Sequence, residues 1–156
     1  MSAVVKLAEP RFRPMDEGDM QSVLEIENTV YPYPWSETIF LDCLQVGYCC
    51  WVMERESALV AYGVMAVGAG ESHILNLCVR PQFQGLGYGR AMLEHLLELA
   101  AVHNADTAFL EVRPTNFSAI RLYMNAGFNE VGVRRNYYPA KCGREDALIM
   151  ARALTE

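Results

Sequence analysis

The sequence lacks several features that would assign its class at once. Only five of its 156 residues are cysteines and three are histidines, and no two cysteines form a CxxC pair. This pattern favours neither a disulfide framework nor a zinc site, and we expect no metal. No apolar run reaches the roughly 18 residues that a membrane span needs. Because Lys6 and Glu9 interrupt the apolar N-terminal stretch, we also expect no signal peptide, no membrane partner and a cytoplasmic protein.

An excess of positive charge is also absent. The net charge is −6 and the sequence pI is about 5.1. Because nonspecific nucleic-acid binding needs a basic surface, we expect no direct nucleic-acid partner. The acidic balance suits a cationic partner such as an amine or a basic peptide. The length fits one domain with its own core, so we predict a single domain over residues 1–156, acting as a monomer.

Strand and helix patterns alternate along the chain in the predicted order β-α-α-β-β-β-α-β-α-β-β. The predicted strands cover residues 11–13, 48–53, 59–67, 73–79, 107–112, 128–133 and 147–151. The predicted helices follow Asp16, follow Ser36, span residues 87–103, and follow either Thr115 or Asn116. This order indicates an α+β fold with a mostly antiparallel sheet and one parallel step across the long helix.

The long helix over residues 87–103 has two distinct faces. Its predicted core face carries Leu93, Leu96, Leu97 and Ala100, and its opposite face carries Glu94, His95 and Glu98. We interpret all three histidines, His73, His95 and His103, as structural residues, because their spacing is not that of metal ligands. Residues 153–156 are expected to be frayed.

A glycine-rich stretch, QGLGYGR (residues 84–90), lies between a predicted strand and the long helix. It is not a P-loop, because GxxxxGK[ST] is absent, and Arg90 stands where the dinucleotide fingerprint needs its third glycine. The glycines could serve only to let helix and strand pack closely. The alternative is the pattern Gln84-x-x-Gly87-x-Gly89, in which free N–H groups at the helix start bind a pyrophosphate.

That pattern resembles the Q/R-x-x-G-x-G/A signature of the GNAT superfamily of N-acetyltransferases. The resemblance implies a GNAT fold with helices on both faces of the sheet, and acetyl-CoA as co-substrate. It implies that the loop binds the pyrophosphate, that a bulge in the preceding strand binds the pantetheine arm, and that Asn116 also contacts the cofactor. The implied cofactor-binding residues are Leu77, Cys78, Val79, Gln84, Gly85, Leu86, Gly87, Tyr88, Gly89, Arg90, Asn116 and Tyr123.

Further segments are similar to one branch of that family, the bacterial RimI proteins. These segments are YPWSE (33–37), LEVR (110–113), TN (115–116), AIRLY (119–123), GF (127–128), RRNYYP (134–139) and GREDA (143–147). The resemblance implies direct acetyl transfer, through a ternary complex, to the N-terminal alanine of a small-subunit ribosomal protein. Cys78, Gly85 and Tyr88 depart from the residues usual in this branch.

Two residues would carry the chemistry. By position alone, Glu111 is a surface-facing strand residue and Tyr123 belongs to a core stripe with Ile120 and Met124. The resemblance makes Glu111 the general base and Tyr123 the acid that protonates the leaving thiolate. Asn116 is most simply an N-cap. A covalent mechanism through Cys78 is rejected, because buried cysteines are usually inert.

Aromatic residues in two segments would bind the acceptor peptide. The resemblance implies that Tyr33, Trp35, Tyr137 and Tyr138 flank the peptide groove, where they suit an arginine-rich chain. Trp35 is equally well explained as a buried anchor for its loop.

Two other functions remain open, namely a GNAT enzyme acting on lysine side chains or a small amine, and a non-catalytic acyl-CoA-binding regulator. The presence of both Glu111 and Tyr123 speaks against the regulator.

Overall fold

The computed structural model describes residues 9–155. Lys6 and Glu156 lie outside these residues, and the expectation about a signal peptide rests partly on Lys6. The strands are β1 (Arg11–Pro14), β2 (Cys49–Arg55), β3 (Ala58–Gly68), β4 (Glu71–Val79), β5 (Thr107–Val112), β6 (Asn129–Ala140) and β7 (Gly143–Ala153). The helices are α1 (Met20–Val30), α2 (Glu37–Val46), α3 (Tyr88–Val102) and α4 (Phe117–Asn125), with short 3₁₀ turns at Glu17–Asp19 and Pro81–Phe83. The predicted element order is confirmed.

The seven strands form one sheet in the order β1-β2-β3-β4-β5-β7-β6. Every neighbouring pair is antiparallel except β4 and β5, which α3 connects. This arrangement confirms the predicted α+β class with a single parallel step. None of the helices that the structure describes is long and apolar enough to cross a membrane.

The helix starts follow from capping side chains in the sequence. The carboxylate of Asp16 accepts a hydrogen bond from the Gly18 N–H at the turn that leads into α1. The hydroxyl of Ser36 caps α2. At α4 the structure decides between the two candidates, since the side-chain oxygen of Asn116 accepts the N–H of Ala119. Each cap satisfies a backbone donor that the first helical turn leaves unpaired.

Helices cover both faces of the sheet and bury two separate apolar clusters. One cluster joins α3 and α4 to the sheet, and its members include Met92, Leu93, Leu96, Leu97, Ala100, Tyr123 and Phe128. The other joins α1 and α2 to the opposite face, and its members include Val23, Ile26, Phe40, Val52, Tyr62 and Val64. From Ala61 to Met65, residues of β3 alternate between the two clusters, as the two-residue period of a strand requires; the register shift against β2 places Val60 in the same cluster as Ala61.

The parallel step opens a gap in the sheet. Only residues 71–74 of β4 pair with residues 107–110 of β5, so the rest of β4 has a strand partner on the β3 side alone. The register against β3 shifts after the Ile74–Met65 pair to Asn76–Val64, which leaves Leu75 as a bulged residue. A bulge bends its strand and disrupts the ladder locally. The implied bulge is therefore present, one position before Asn76, where β4 and β5 separate.

Several local predictions were wrong. The last two strands are longer than predicted, because the shifted register between Arg134 and Tyr138, with Asn136 at a positive φ, obscures the two-residue alternation. The C-terminus is not frayed through its last residues: Ala153 ends β7, and the Leu154 N–H donates to the Asp106 carbonyl.

His95 was also misplaced by the helical periodicity. Its ring does not turn away from the protein but stacks on Phe12, with centroids 4.2 Å apart, and meets the edge of Trp51. Because β1 and β2 extend the sheet beneath α3, they cover a face of the helix that the local sequence marks as polar. Its Nε2 is buried and has no hydrogen-bond partner in the described part of the chain.

Candidate active site

The glycine loop turns sharply before α3. Gly85 and Gly87 have φ angles of +78° and +90°, a left-handed conformation that residues with a Cβ adopt at a cost. Gly87 is the N-cap residue of α3 and provides no side-chain cap. The two glycines therefore shape the loop, and they leave the backbone N–H groups at the start of α3 without a capping side chain.

The backbone N–H groups of this loop are available to a ligand. Within residues 9–155, no acceptor is hydrogen-bonded to any N–H of residues 85–90, whereas the next one, on Ala91, bonds to the Gly87 carbonyl. Unpaired donors at a helix N-terminus, together with the positive end of the helix dipole, favour a phosphate or pyrophosphate. The loop thus has the unpaired donors on which the prediction of a pyrophosphate site depends.

Two loop side chains instead hold the loop to the protein. The amide of Gln84 donates to the Val79 carbonyl at 3.0 Å. The hydroxyl of Tyr88 accepts from Nη1 of Arg55 at 3.1 Å, and its ring meets the edge of Phe83. Tyr88 therefore accommodates its unusual bulk beside Arg55, and its contribution to a ligand would be its backbone N–H.

The end of β4 carries Leu77, Cys78 and Val79 beside the gap in the sheet. The hydroxyl of Tyr31 donates to the Leu77 carbonyl at 2.9 Å, which ties the loop after α1 to this strand. Burial raises the pKa of the Cys78 thiol to about 11, so the thiol is protonated at neutral pH. The nucleophilic form of cysteine is the thiolate, so this environment supports the rejection of a covalent Cys78 mechanism.

Glu111 lies on β5 at the point where β4 and β5 separate. Its side chain is only 8% exposed, and both of its carboxylate oxygens lie 3.1 Å from Nε2 of His73 on β4. Oε1 is also 3.1 Å from Nε of Arg134 on β6. Glu111 is therefore not the surface-facing strand residue that its position alone suggested, but a carboxylate held by two cationic or donor groups from neighbouring strands.

His73 and Arg134 are site residues that the sequence interpretation missed. His73 pairs in register with Phe109 of the parallel strand, so His73 and Glu111 project from the same face of the two strands, two positions apart. Only the pairing register brings them together, because 38 residues separate them in the chain. The interpretation of His73 as purely structural, made from the absence of metal-ligand spacing, did not consider this contact.

Tyr123 lies on α4 in the cluster beneath α3, with its ring edge-on to Phe128. Burial raises the pKa of Tyr123 to about 12, with a smaller contribution from Cys78. Its hydroxyl has no hydrogen-bond partner within the described part of the chain. A buried tyrosine normally bonds its hydroxyl to the protein or to water. The free hydroxyl makes Tyr123 a candidate donor to a bound molecule as well as a core residue.

Three of the four aromatics predicted to bind the peptide lie beside two arginines, Arg113 and Arg134. The guanidinium of Arg113 lies 5.4 Å from the ring centre of Tyr33 and 4.4 Å from that of Tyr138. Arg134 lies 5.4 Å from the ring centre of Tyr137. Burial, followed by the neighbouring Tyr137 and Glu111, raises the pKa of Tyr138. Tyr33, Tyr137 and Tyr138 therefore lie on the Glu111 side of the molecule.

Trp35 and the loop that carries it are fixed by a buried carboxylate. The Trp35 ring packs on Phe40, and its backbone N–H donates to Oε2 of Glu27, a residue of α1 that is only 2% exposed. Oε1 of Glu27 accepts from the Tyr62 hydroxyl and from the Asn76 amide. This network supports the interpretation of Trp35 as an anchor. Glu27 therefore connects the aromatic loop to the bulged part of β4.

Comparison with known proteins places these features in a family. Residues 20–128 match the model of the acetyltransferase (GNAT) family. The chain is 38% identical over 137 residues to the [ribosomal protein bS18]-alanine N-acetyltransferase of Escherichia coli (strain K12), covering 88% of this chain and 93% of that one.

A more distant relative and a solved structure extend this result. The putative [ribosomal protein bS18]-alanine N-acetyltransferase of Bacillus subtilis (strain 168) is 31% identical, over 92% of this chain and 95% of its own. The crystal structure of the ribosomal-protein-S18-alanine N-acetyltransferase from Escherichia coli superposes with a TM-score of 0.87 at 35% identity, covering 95% of this chain and 96% of that one. Among residues 9–155 there is no group of three metal-ligating side chains. The chain belongs to the acetyltransferase (GNAT) family.

Proposed function

We propose that this protein acetylates the N-terminal alanine of the ribosomal protein bS18. It is an acyltransferase, and acetyl-CoA is its co-substrate. The observation that carries the proposal is the position of Glu111, a nearly buried carboxylate beside the free edge of β4, with the phosphate-binding loop at the other end of that edge. The similarity to the Escherichia coli enzyme extends over nearly the whole length of both chains and supports the same acceptor.

The residues that would hold acetyl-CoA fit its chemistry. The unpaired N–H groups of residues 85–90 suit the pyrophosphate, with Gln84 stabilising the loop. Beyond the bulge, residues 77–79 lack a strand partner on the β5 side. The Leu77 and Val79 carbonyls already accept from Tyr31 and Gln84, so the backbone N–H groups on that side would bind the pantetheine and acetyl oxygens. Asn116 would add a contact besides its capping role. The bound co-substrate supplies an acetyl group activated as a thioester.

Glu111 would act as the general base towards the acceptor amine. An α-amine has a pKa of about 7.7–8.0, whereas that of a lysine side chain is about 10.4, so roughly a tenth or more of the α-amine is already neutral at pH 7. A carboxylate therefore needs to remove a proton before attack only from the remainder, and it can accept the proton that the attacking amine loses as the amide forms. This difference in basicity favours an N-terminus over a lysine as the acceptor.

Tyr123 would assist the departure of the thiolate. With a pKa of about 12, it is a much weaker acid than a thiol, whose ordinary pKa is about 8.5. Complete proton transfer from tyrosine to the free thiolate is therefore uphill by about 3.5 pKa units. Its contribution would come as a hydrogen bond, or as proton donation while the thiolate charge develops, rather than as full transfer before the bond breaks.

The acceptor peptide would lie between the loop after α1 and the β6–β7 hairpin. Tyr33, Tyr137 and Tyr138 would line its path, and Trp35 would contribute chiefly by fixing the loop. The acidic chain suits a basic ribosomal protein. We further propose one cytoplasmic, monomeric domain that contacts neither nucleic acid nor membrane. Gel filtration at micromolar concentration tests the monomer directly, and a mass twice the monomer's would refute it.

The deciding experiment compares three acceptors under identical conditions by mass spectrometry. They are an arginine-rich peptide that starts with alanine, the same peptide with a blocked N-terminus and an added lysine, and spermidine. We expect acetylation of the free N-terminus alone. Preference for lysine or spermidine would retain the family and the co-substrate but refute the ribosomal-protein assignment. Binding of acetyl-CoA without transfer to any acceptor would favour a regulatory protein.

The base is tested by Glu111→Gln, with Glu130→Gln on the exposed part of β6 as the matched control. Loss of a general base lowers kcat by about 10²–10⁴-fold. We expect a loss in that range for Glu111→Gln, unchanged acetyl-CoA binding, and wild-type kcat for Glu130→Gln. An unchanged kcat in Glu111→Gln would refute the assignment.

A further inference from the structure

The contact between His73 and Glu111 has an unusual geometry for a structural histidine. Nε2 of His73 is equidistant, at 3.1 Å, from the two oxygens of the Glu111 carboxylate. The His73 side chain is 34% exposed, and its ring packs only loosely on Phe109, with centroids 6.0 Å apart. A residue that served only to fill the core would be buried and would not direct a polar atom at a carboxylate.

The two oxygens determine the state of the ring nitrogen that meets them. An ionised carboxylate only accepts hydrogen bonds, so Nε2 must carry a hydrogen. Oε1 and Oε2 share that hydrogen. This holds whether the His73 ring is neutral or cationic. The contact therefore restrains the rotation of the carboxylate about the last bond of the Glu111 side chain, which is otherwise a soft torsion.

Arg134 makes the two oxygens unequal. Its Nε lies 3.1 Å from Oε1 and forms an ion pair there. Oε1 therefore meets both His73 and the Arg134 cation, whereas within the described residues the one hydrogen bond to Oε2 is its share of His73. The Tyr138 hydroxyl, from the same strand as Arg134, is a further titratable neighbour of the carboxylate. Oε2 of Glu111 is therefore the oxygen with free accepting capacity.

We propose that His73 is a positioning residue for the base, and that it holds Glu111 so that Oε2 takes the proton from the acceptor amine. The proposal rests on the proposed function of Glu111. The proton passes from the amine nitrogen to Oε2, directly or through one water, as the nitrogen lone pair forms the bond to the acetyl carbon. The thioester C–S bond then breaks, and its electron pair leaves with the coenzyme A thiolate. His73 itself neither gains nor loses a proton in this step.

Positioning and a purely electrostatic effect predict opposite results. A donor that stabilises a carboxylate also weakens it as a base, so an electrostatic role alone predicts faster transfer once the donor is removed. Positioning predicts slower transfer, because misplaced catalytic groups lose much of the benefit of proximity. The sign of the change in kcat therefore distinguishes the two.

The test uses the full chain with the alanine-starting peptide. The variants are His73→Leu, which removes the donor, and His73→Gln, whose side-chain amide can present a donor near the position of Nε2. His103→Leu, at the exposed end of α3, is the control for a histidine-to-leucine change. We expect kcat to fall about tenfold in His73→Leu. The KM for acetyl-CoA should not change, and His73→Gln should recover most of the loss.

A double variant separates this proposal from the assignment of the base. If His73 acts through Glu111, His73→Leu adds no further loss to Glu111→Gln, because coupled residues are not additive. A full additional tenfold loss, an unchanged or higher kcat in His73→Leu, or no recovery in His73→Gln would overturn the proposal while Glu111 remained the base. A wild-type kcat in Glu111→Gln would overturn both. Thermal melting of each variant checks that it is folded.

Discussion

Replacing the buried Glu27 by glutamine should destabilise the protein far more than its single-atom change suggests. The carboxylate accepts from the Trp35 N–H at 2.9 Å, the Tyr62 hydroxyl at 2.6 Å and the Asn76 amide at 2.9 Å. All three partners donate a hydrogen bond to an oxygen of the Glu27 carboxylate. Glutamine turns one of the two oxygens into an NH₂ group, which must then meet at least one donor unless a neighbour reorients.

The size of the effect follows from these three bonds. A hydrogen bond to a charged group contributes about 1.5–3 kcal/mol, and a neutral one about 0.5–1.5 kcal/mol, so each bond weakens by about 1 kcal/mol. The sum is a loss of about 3 kcal/mol, near the lower limit for disrupting a buried ionic group. For a chain of this length, each kcal/mol corresponds to about 2–4 °C, so Tm should fall by about 6–12 °C.

The assay is thermal unfolding of Glu27→Gln beside Glu25→Gln. Glu25 lies on the same helix, but its side chain is 67% exposed and meets Arg80 at 3.7 Å. An exposed pair contributes about 0–1 kcal/mol, so the control should change Tm by at most about 4 °C. If Glu27→Gln melted within about 2 °C of the wild type, the network would not hold the loop as reasoned. Equal losses in both variants would refute the reasoning as well.

Three other changes test separate parts of the structure. Cys78→Ala should retain acetyl transfer, and mass spectrometry should detect no acetylated cysteine in the wild type during turnover, since the thiol is protonated at neutral pH. Gly87→Ala places a Cβ at a φ of +90°, which costs about 1–2 kcal/mol, so the KM for acetyl-CoA should rise about tenfold with a smaller change in kcat. Burial lowers the pKa of His95 below its usual 6.5, so the unfolded chain binds the proton more readily, and stability should fall as pH drops below about 6.5. In His95→Phe, which can still stack on Phe12, melting curves from pH 8 to pH 5 should show a smaller acid loss; an unchanged slope would contradict this.

Local signals in the sequence were sufficient for the order of the elements and for the backbone conformation of the glycine loop. Asn116 caps α4 through a bond to a residue three positions away, and the glycines of the loop take the left-handed backbone that their sequence allows. These features depend on interactions within a few residues, so they are readable without the fold. The polar and aromatic composition around Arg134, in contrast, concealed the true length of β6, because pairing with β7 stabilises that strand.

The sequence by itself determined the order of the elements, the glycine loop at the start of α3 and the residue types available for acid and base chemistry. The tertiary structure alone decided which of them meet. His73 and Glu111 come together only through the register of two parallel strands, and Glu27 reaches Tyr62 and Asn76 only across the layer between a helix and the sheet. Contacts between residues 35 or more positions apart follow from chain topology and register, which no short window of sequence contains.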